Sequence, residues 1–160
     1  MVARKNSREA GAPFAAALRL LTRRDYGSEE LRRTLLTKGY PGDAVDAAVA
    51  RAMELGYLDD TRYAARLAAS LVTSGRAAGA RLALELRRRG LDAELVQATV
   101  GASRTGGGET EALRALIARR FPTFDFFAAD DRERRRVVLF LQRRGFPLDH
   151  ILNELKRTDP

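Results

Sequence analysis

One pattern of apolar residues and glycine occurs three times along the 160 residues of this chain. In each copy two apolar residues stand eight and four positions before a glycine, and the three glycines lie 51 and 55 residues apart. A repeat of this period is typical of one supersecondary unit copied in tandem, and such arrays usually present extended binding surfaces. The three copies are Leu31, Leu35, Gly39, Tyr40 and Val45; Leu82, Leu86, Gly90, Leu91 and Val96; and Val137, Leu141, Gly145, Phe146 and Ile151.

The spacing of apolar residues predicts helices throughout. They recur at i, i+3, i+4 and i+7 among abundant alanine, leucine, arginine and glutamate, and no strand-like alternation stands out. Glycines and prolines divide each copy into three helices. We therefore predict an all-α fold, an elongated tandem array of three three-helix repeats at residues 13–58, 59–104 and 109–157. Residues 105–108, which include three consecutive glycines, are predicted to form a glycine hinge before the third repeat.

Several local features follow from the same pattern. Ser28 is predicted to be the N-cap of the second helix, and Asp130 the N-cap of the eighth. A single helix is predicted over residues 76–89, ended by Gly90. The segment 121–129 contains four phenylalanines and is predicted to pack as a local core plug rather than to bind a ligand.

Composition limits the class of protein. The chain has no cysteine, which excludes disulfides and a cysteine-based zinc site and is compatible with a reducing compartment. No apolar run approaches the roughly 20 residues of a membrane span, and the N-terminal residues lack a signal-type apolar run. We expect a cytoplasmic protein with no membrane association. No coiled-coil seam is evident, and a monomer is expected.

The charge is strongly positive, with 29 basic and 21 acidic side chains and a net charge of +8, which indicates an anionic partner such as nucleic acid. Of the 29 basic residues, 26 are arginines. This preference for arginine could also reflect a GC-rich genome, but it does not explain why the net charge is positive. The second helices of repeats two and three carry most of the charge, with +4 over 76–90 and +5 over 132–144, against +1 over 28–39. The third helices are acidic, each with net −2, over 43–55, 92–103 and 147–155.

Catalytic chemistry is not favoured. The single histidine, His150, has no cysteine or second histidine near it in the sequence. Nucleases use paired carboxylates to hold magnesium, but the pairs Asp59-Asp60 and Asp130-Asp131 precede helices, where acids are expected as caps. The three glycines lack the Lys-Ser/Thr of a P-loop. We predict no catalytic residue, no metal and no cofactor.

Three segments together resemble one known family. The run from Gly56 to Ala64 reads GYLDDTRYA and is similar to the signature GYLDD-x-R-(F/Y)-A of the RecX family. The segments from Ser28 to Tyr40 and from Gly79 to Leu91 also match the family pattern. The resemblance covers residues 14–157, is clearest over 28–91 and is looser in the third repeat. This chain departs from the family at the glycine segment and at the phenylalanine-rich loop.

The resemblance implies a bacterial regulator of the RecA recombinase, built of three tandem three-helix repeats. It implies binding in the groove of the RecA–DNA filament and inhibition of strand exchange, ATP hydrolysis and co-protease activity, hence a place in homologous recombination, DNA repair and the SOS response. The implied partners are the RecA filament and single-stranded DNA, with double-stranded DNA as a further candidate. Two other classes remain open: a stand-alone basic helical DNA-binding protein that does not act through RecA, and a magnesium nuclease using Asp59, Asp60 or Asp130.

The residues expected to act divide into two groups. Gly56, Tyr57 and Leu58 are predicted to pack between repeats one and two or to end a helix, with Asp59 or Asp60 as a cap. Because its second helix is nearly neutral, repeat one is expected to make fewer anionic contacts than repeats two and three. The residues predicted to contact RecA or DNA are Arg62, Arg66, Arg76, Arg81, Arg88, Arg89, Arg135 and Arg143.

Overall fold

A computed structural model of the chain describes the backbone of residues 3–157 and the side chains of residues 12–157. Over this part of the chain the regular structure is entirely helical, as predicted. The helices are α1 (Ala3–Leu21), α2 (Ser28–Thr37), α3 (Gly42–Glu54), α4 (Asp60–Thr73), α5 (Gly79–Arg88), α6 (Ala93–Thr105), α7 (Gly108–Arg120), α8 (Asp131–Arg143) and α9 (Leu148–Leu155). They form three consecutive three-helix repeats, α1–α3, α4–α6 and α7–α9, which confirms the predicted fold class.

Two compact units divide the chain. The first contains the described residues up to Ala64 together with Arg88–Asp92, and the second contains Ala65–Arg87 and the described residues from Ala93 onward. In the first unit, α1 packs against α3 and α2. The core of this unit contains the apolar residues of the first copy of the pattern, and Leu31, Leu35 and Val45 are completely buried. The pattern therefore marks the packing faces of the helices.

The core of the second unit contains the apolar residues of the third copy. Val137, Leu141 and Ile151 are completely buried there. The phenylalanine-rich segment packs against this core through Phe121, Phe124 and Phe126, in agreement with the predicted core plug, whereas Phe127 is 65% exposed. The ring of Phe121 meets that of Phe140 edge to face, with centroids 5.3 Å apart.

Two local predictions were wrong. Gly27, not Ser28, is the N-cap of α2, and Ser28 is the first helical residue. The predicted helix over 76–89 begins only at Gly79. The backbone N–H of Ala78 donates to the carbonyl of Arg144 at 2.8 Å, so this buried segment pairs with the turn after α8 instead of entering a helix. Helical periodicity does not reveal such a distant partner.

The predicted repeat boundaries differ from the helix ends in two places. Residue 13 lies inside α1, and Pro13 is a completely buried residue of that helix. Thr105 belongs to α6 and Gly108 to α7, so only Gly106 and Gly107 lie outside the helices. The hydroxyl of Thr105 donates to the carbonyls of Gly101 and Ala102 in the last turn of α6. A hinge motion at this link stays a prediction.

Candidate nucleic-acid and protein interface

Helix α8 carries four exposed arginines: Arg132, Arg135, Arg136 and Arg143. Arg132, Arg135 and Arg136 line a surface recess together with Asp131 and with Leu139, which is itself 43% exposed. Residues three and four apart share one face of a helix, so these side chains form a basic stripe with an apolar centre. Arg143, one turn beyond Leu139, extends the stripe and is exposed. This surface offers charge for an anionic partner and apolar area for a base, a sugar or a protein side chain.

Two other arginines of the third repeat stabilise the fold through bonds to backbone carbonyls and contacts with phenylalanine rings. Arg134 donates from Nε to the carbonyl of Phe126 at 2.8 Å, and its guanidinium lies over the Phe126 ring. Arg144 donates to the carbonyl of Gly75 at 2.9 Å and stacks on Phe140. A cluster of arginines in the sequence is therefore divided between surface residues and residues that support the core and the turns.

The predicted contact residues of the second repeat are exposed but lie in different local settings. Arg81 on α5 forms an ion pair with Glu85 at 3.0 Å across one helical turn. Arg76 is exposed and lies in the turn before α5, not on the helix as predicted. Arg66 is exposed on α4. Arg81, Arg76 and Arg66 all belong to the second unit.

A network of hydrogen bonds surrounds Glu30 in the first unit. Its carboxylate accepts from Arg24 at 2.9 and 3.2 Å and from the hydroxyl of Tyr63 at 3.0 Å. Arg89 approaches the same carboxylate at 3.5 Å and the Tyr63 oxygen at 3.2 Å. Burial opposes ionisation of Glu30, but the hydrogen bonds from Arg24 and Tyr63 outweigh it and hold its pKa below the ordinary value. Burial and the bond to Glu30 raise the pKa of Tyr63.

The signature segment has mainly a structural role in the first unit. Asp60 accepts hydrogen bonds from the backbone N–H of Ser28 at 2.7 Å and from its hydroxyl at 2.5 Å. Asp59 accepts from the N–H of Arg62 at 3.0 Å and so caps α4. The carboxylate of Asp60 satisfies the first turn of α2, which explains why Ser28 does not cap its own helix.

The residues next to Asp59 and Asp60 in the sequence differ from one another in burial. Leu58 is 3% exposed and lies in the core cluster of the first repeat. Tyr57 is 54% exposed, and its packing between repeats stays a prediction. Gly56 has a positive φ of 73° after α3. Arg62 is exposed, with Nη2 at 3.4 Å from the carbonyl of Gly56.

Arg88 and Arg89 line a groove on the first unit together with residues that the sequence reasoning missed. The groove encloses about 410 Å³, and its other cations are Arg33 and Lys38 from the end of α2. A sequence signal for Lys38 existed, because each repeat glycine is directly preceded by a basic residue: Lys38, Arg89 and Arg144. The repeat pattern gave no such signal for Arg33, because the equivalent positions in the second and third copies are Leu84 and Leu139.

The described residues contain no group of three histidine, aspartate or glutamate side chains arranged to hold a metal ion. The acidic pairs that suggested magnesium have other roles, since Asp130 caps α8 by accepting from the N–H of Glu133 at 2.7 Å. This confirms the predicted cap. In the same part of the chain, no helix has the length and apolar character needed to cross a membrane.

Models of three protein domains match the chain in order. They are described as the first, second and third three-helix domains of RecX, and they match residues 14–51, 59–100 and 108–153 respectively. Together they cover most of the chain, and each match includes residues from all three helices of one repeat.

Curated relatives carry the same name. The chain is 47% identical over 138 residues to the regulatory protein RecX of Trichlorobacter lovleyi, covering 86% of this chain and 90% of that protein. It is 40% identical over 133 residues to the regulatory protein RecX of Syntrophotalea carbinolica, covering 83% and 87% respectively. The crystal structure of RecX from Lactobacillus salivarius matches with a TM-score of 0.77 at 18% identity, over 93% of this chain and 97% of that chain, which shows a shared fold.

Proposed function

The chain belongs to the RecX family of regulatory proteins, and on that premise we propose that it regulates the RecA recombinase, mainly as an inhibitor, by binding the RecA–DNA filament. The observation that carries the proposal is the ordered match of all three repeats to that family. Binding in the filament groove would reduce strand exchange, ATP hydrolysis and co-protease activity.

The surfaces of the protein suit a binder of both protein and DNA. The stripe on α8 combines Arg135 and Arg143 with the exposed Leu139, so it can contact phosphate oxygens and an apolar surface at once. Guanidinium groups also pair with carboxylates, which lets the same residues contact acidic side chains of RecA. We expect a stoichiometric binder that bridges adjacent RecA subunits and blocks filament growth or favours disassembly.

The decisive experiment measures the ATPase activity of RecA on single-stranded DNA while this protein is titrated in. We expect inhibition at or below stoichiometric ratios, accompanied by shorter filaments in electron microscopy. Unchanged ATPase rate and filament length at stoichiometric protein would show that the regulator proposal is wrong.

A charge reversal on α5 tests the predicted contact residues. Arg81→Glu combined with Arg88→Glu should weaken inhibition of the RecA ATPase while leaving the helical circular dichroism signal unchanged, because both side chains are exposed. A matched control, Arg19→Glu with Arg23→Glu, makes the same change in net charge at exposed positions near the end of α1. Equal inhibition by both variants and the wild type would contradict the assignment of α5, even if the protein regulates RecA.

The exposed arginines also favour a second candidate, a DNA-binding protein that acts without RecA. That protein would bind single-stranded DNA alone, with an affinity that falls steeply as salt rises. Binding of DNA in the absence of RecA, together with an unchanged RecA ATPase, would favour this candidate over the regulator.

A further inference from the structure

A basic groove on the first unit is lined by side chains from two segments that lie about 50 residues apart in the sequence. Arg33, Thr34, Thr37 and Lys38 come from the last turns of α2 and its C-cap, and Arg88 and Arg89 come from the end of α5 and the residue after it. Glu30 of α2 also lines the groove. Its volume of about 410 Å³ is within the usual range of small-ligand sites. We propose that this groove binds phosphate groups, with the backbone of single-stranded DNA as the source.

The wall formed by the second segment is held close to α2. Gly90 has a φ of +84°, and a Cβ there would lie 2.6 Å from Cγ of Glu29 and 2.9 Å from Nη2 of Arg33. Only a residue without a side chain allows this approach, which brings the backbone beside Arg89 against the α2 helix. The groove is therefore a built feature of the fold rather than a chance meeting of flexible arginines.

The single carboxylate of the groove is already engaged. Glu30 accepts hydrogen bonds from Arg24 and Tyr63. Arg89 donates to Glu30 and to the Tyr63 oxygen, and these contacts fix the direction of its side chain. Glu30 thus positions a cation at the groove and does not simply repel an anion.

The balance of charge in the groove favours an anion. Four cationic side chains face one carboxylate among the lining residues. The C-termini of α2 and α5 end at the groove, and each helix terminus contributes about half a negative charge. Arg33 also forms an ion pair with Glu29 at 3.4 Å. A net positive charge of about one remains, enough for one phosphate of a DNA backbone.

The donors for phosphate would be the cations rather than the hydroxyls. The hydroxyl of Thr34 donates to the carbonyl of Glu30 at 2.8 Å, and that of Thr37 donates to the carbonyl of Arg33 at 2.9 Å. Arginine and lysine are the residues that bind phosphate by charge-assisted hydrogen bonds. The first repeat would then make a substantial anionic contact, which its nearly neutral second helix did not suggest.

The test is independent of RecA, so its outcome does not depend on the regulator proposal. Binding of a fluorescent single-stranded oligonucleotide is measured by anisotropy over a series of salt concentrations, for the wild type, for Arg33→Gln with Lys38→Gln, and for the control Arg19→Gln with Arg23→Gln. The two variants have equal net charge. We expect the groove variant to bind at least about fivefold more weakly and to lower the log–log salt slope by about 0.7 for each lost phosphate contact, while the control stays within about twofold.

Additional measurements separate the sources of phosphate and guard against a folding defect. Titration with ATP in place of DNA shows whether the same residues bind a free nucleotide. If they do, the groove is still a phosphate-binding site, but its ligand is a free nucleotide rather than the DNA backbone. Thr37→Glu, which adds a carboxylate and removes no cation, should weaken binding in the same direction. Circular dichroism verifies that each variant is folded.

Three results would overturn the proposal: equal weakening of DNA binding by the groove and control variants, no weakening of DNA or ATP binding by the groove variant, or no binding of either ligand by the wild type. If the groove variant loses inhibition of RecA but binds phosphate ligands as the wild type does, the groove contacts protein and the proposal is likewise overturned.

Discussion

Glu109 is the charged side chain that the fold buries most completely among the residues described. It lies in the first turn of α7, is 2% exposed, and neither carboxylate oxygen has a hydrogen-bond partner. Burial raises its pKa, and the attraction of Arg104 and His150 only partly offsets that effect. The position near the positive end of α7 favours a carboxylate, but an unpaired buried charge destabilises the folded state.

We predict that Glu109→Gln stabilises the second unit at neutral pH by roughly 1 kcal/mol, because it removes a buried charge without changing the size of the side chain. The pKa of this group is higher in the folded state, so its destabilising effect is absent below the unfolded-state pKa and grows as the pH rises through the folded-state pKa. Urea denaturation at several pH values measures the effect.

The stability difference between the Glu109→Gln variant and the wild type should therefore increase with pH. Glu154 contributes in the opposite direction, because hydrogen bonds from Arg114 lower its pKa and the stability it provides is lost as the pH falls. Comparing the two proteins at each pH cancels that contribution. A difference that does not change with pH would contradict the interpretation of Glu109.

A second prediction at this scale concerns the contact between Asp60 and Ser28. Asp60→Ala should destabilise the first unit by about 1–2 kcal/mol, since it leaves the N–H of Ser28 without its acceptor. Asp60→Asn keeps one acceptor oxygen, so it should lower the free energy of unfolding by less than Asp60→Ala does. In a double-mutant cycle with Ser28→Ala, measured by urea denaturation, the two substitutions should be non-additive. Additive losses would show that the two residues do not stabilise each other.

At the scale of the element, equivalent positions of the repeat differ in their surroundings. Gly39 and Gly145 both follow the second helix of a repeat with a positive φ, of 87° and 93° respectively. A Cβ at Gly39 would meet nothing within 4 Å, whereas at Gly145 it would overlap the carbonyl oxygen of Ala78 and lie 2.8 Å from Cβ of Arg81. The sequence pattern makes the two residues look interchangeable, but only one of them faces a neighbouring backbone.

Gly39→Ala is therefore predicted to lower the free energy of unfolding by about 1–2 kcal/mol, which is the ordinary penalty for a residue with a side chain in the left-handed conformation. Gly145→Ala carries the same penalty and must also displace the backbone at Ala78, so we expect a much larger loss or a failure of the second unit to fold. Thermal denaturation followed by circular dichroism compares the two variants. Similar midpoints for both would show that the close approach at Gly145 is not required.

These elements also show how far the sequence could predict the structure. The apolar pattern correctly predicted helical repeats, because Leu31, Leu35, Val137 and Leu141 are buried with the same spacing in different repeats. Predictions failed where a distant group determined the local conformation. The segment before α5 pairs with the carbonyl of Arg144, and no local signal encodes that contact.

The candidate site was predicted less completely, for a related physical reason. Net charge per helix drew attention to α8, but it could not separate Arg135, which is exposed, from Arg134, which binds the carbonyl of Phe126. The net charge per helix also gave no indication of the basic groove, because Arg33 and Lys38 come close to Arg88 and Arg89 only in the folded chain. Summed charge is a property of a segment, whereas a binding site depends on which segments converge.

For the whole molecule, the net charge of +8 should act through particular surfaces rather than uniformly. The basic groove belongs to the first unit and the stripe on α8 belongs to the second. If both contact the same DNA strand, each contributes its own phosphate contacts, and the losses caused by distant substitutions should add. The pair Arg135→Gln with Arg143→Gln removes two charges from the stripe, as Arg33→Gln with Lys38→Gln does from the groove.

We predict that each pair lowers the salt slope of single-stranded DNA binding by about 0.7–1.4, and that the fourfold variant lowers it by the sum of the two. The fourfold variant should also lose most of its inhibition of the RecA ATPase, while each pair retains part of it. Anisotropy titrations at several salt concentrations measure the slopes, and the control Arg19→Gln with Arg23→Gln corrects for net charge. A fourfold variant no weaker than either pair would contradict independent phosphate contacts at the two surfaces.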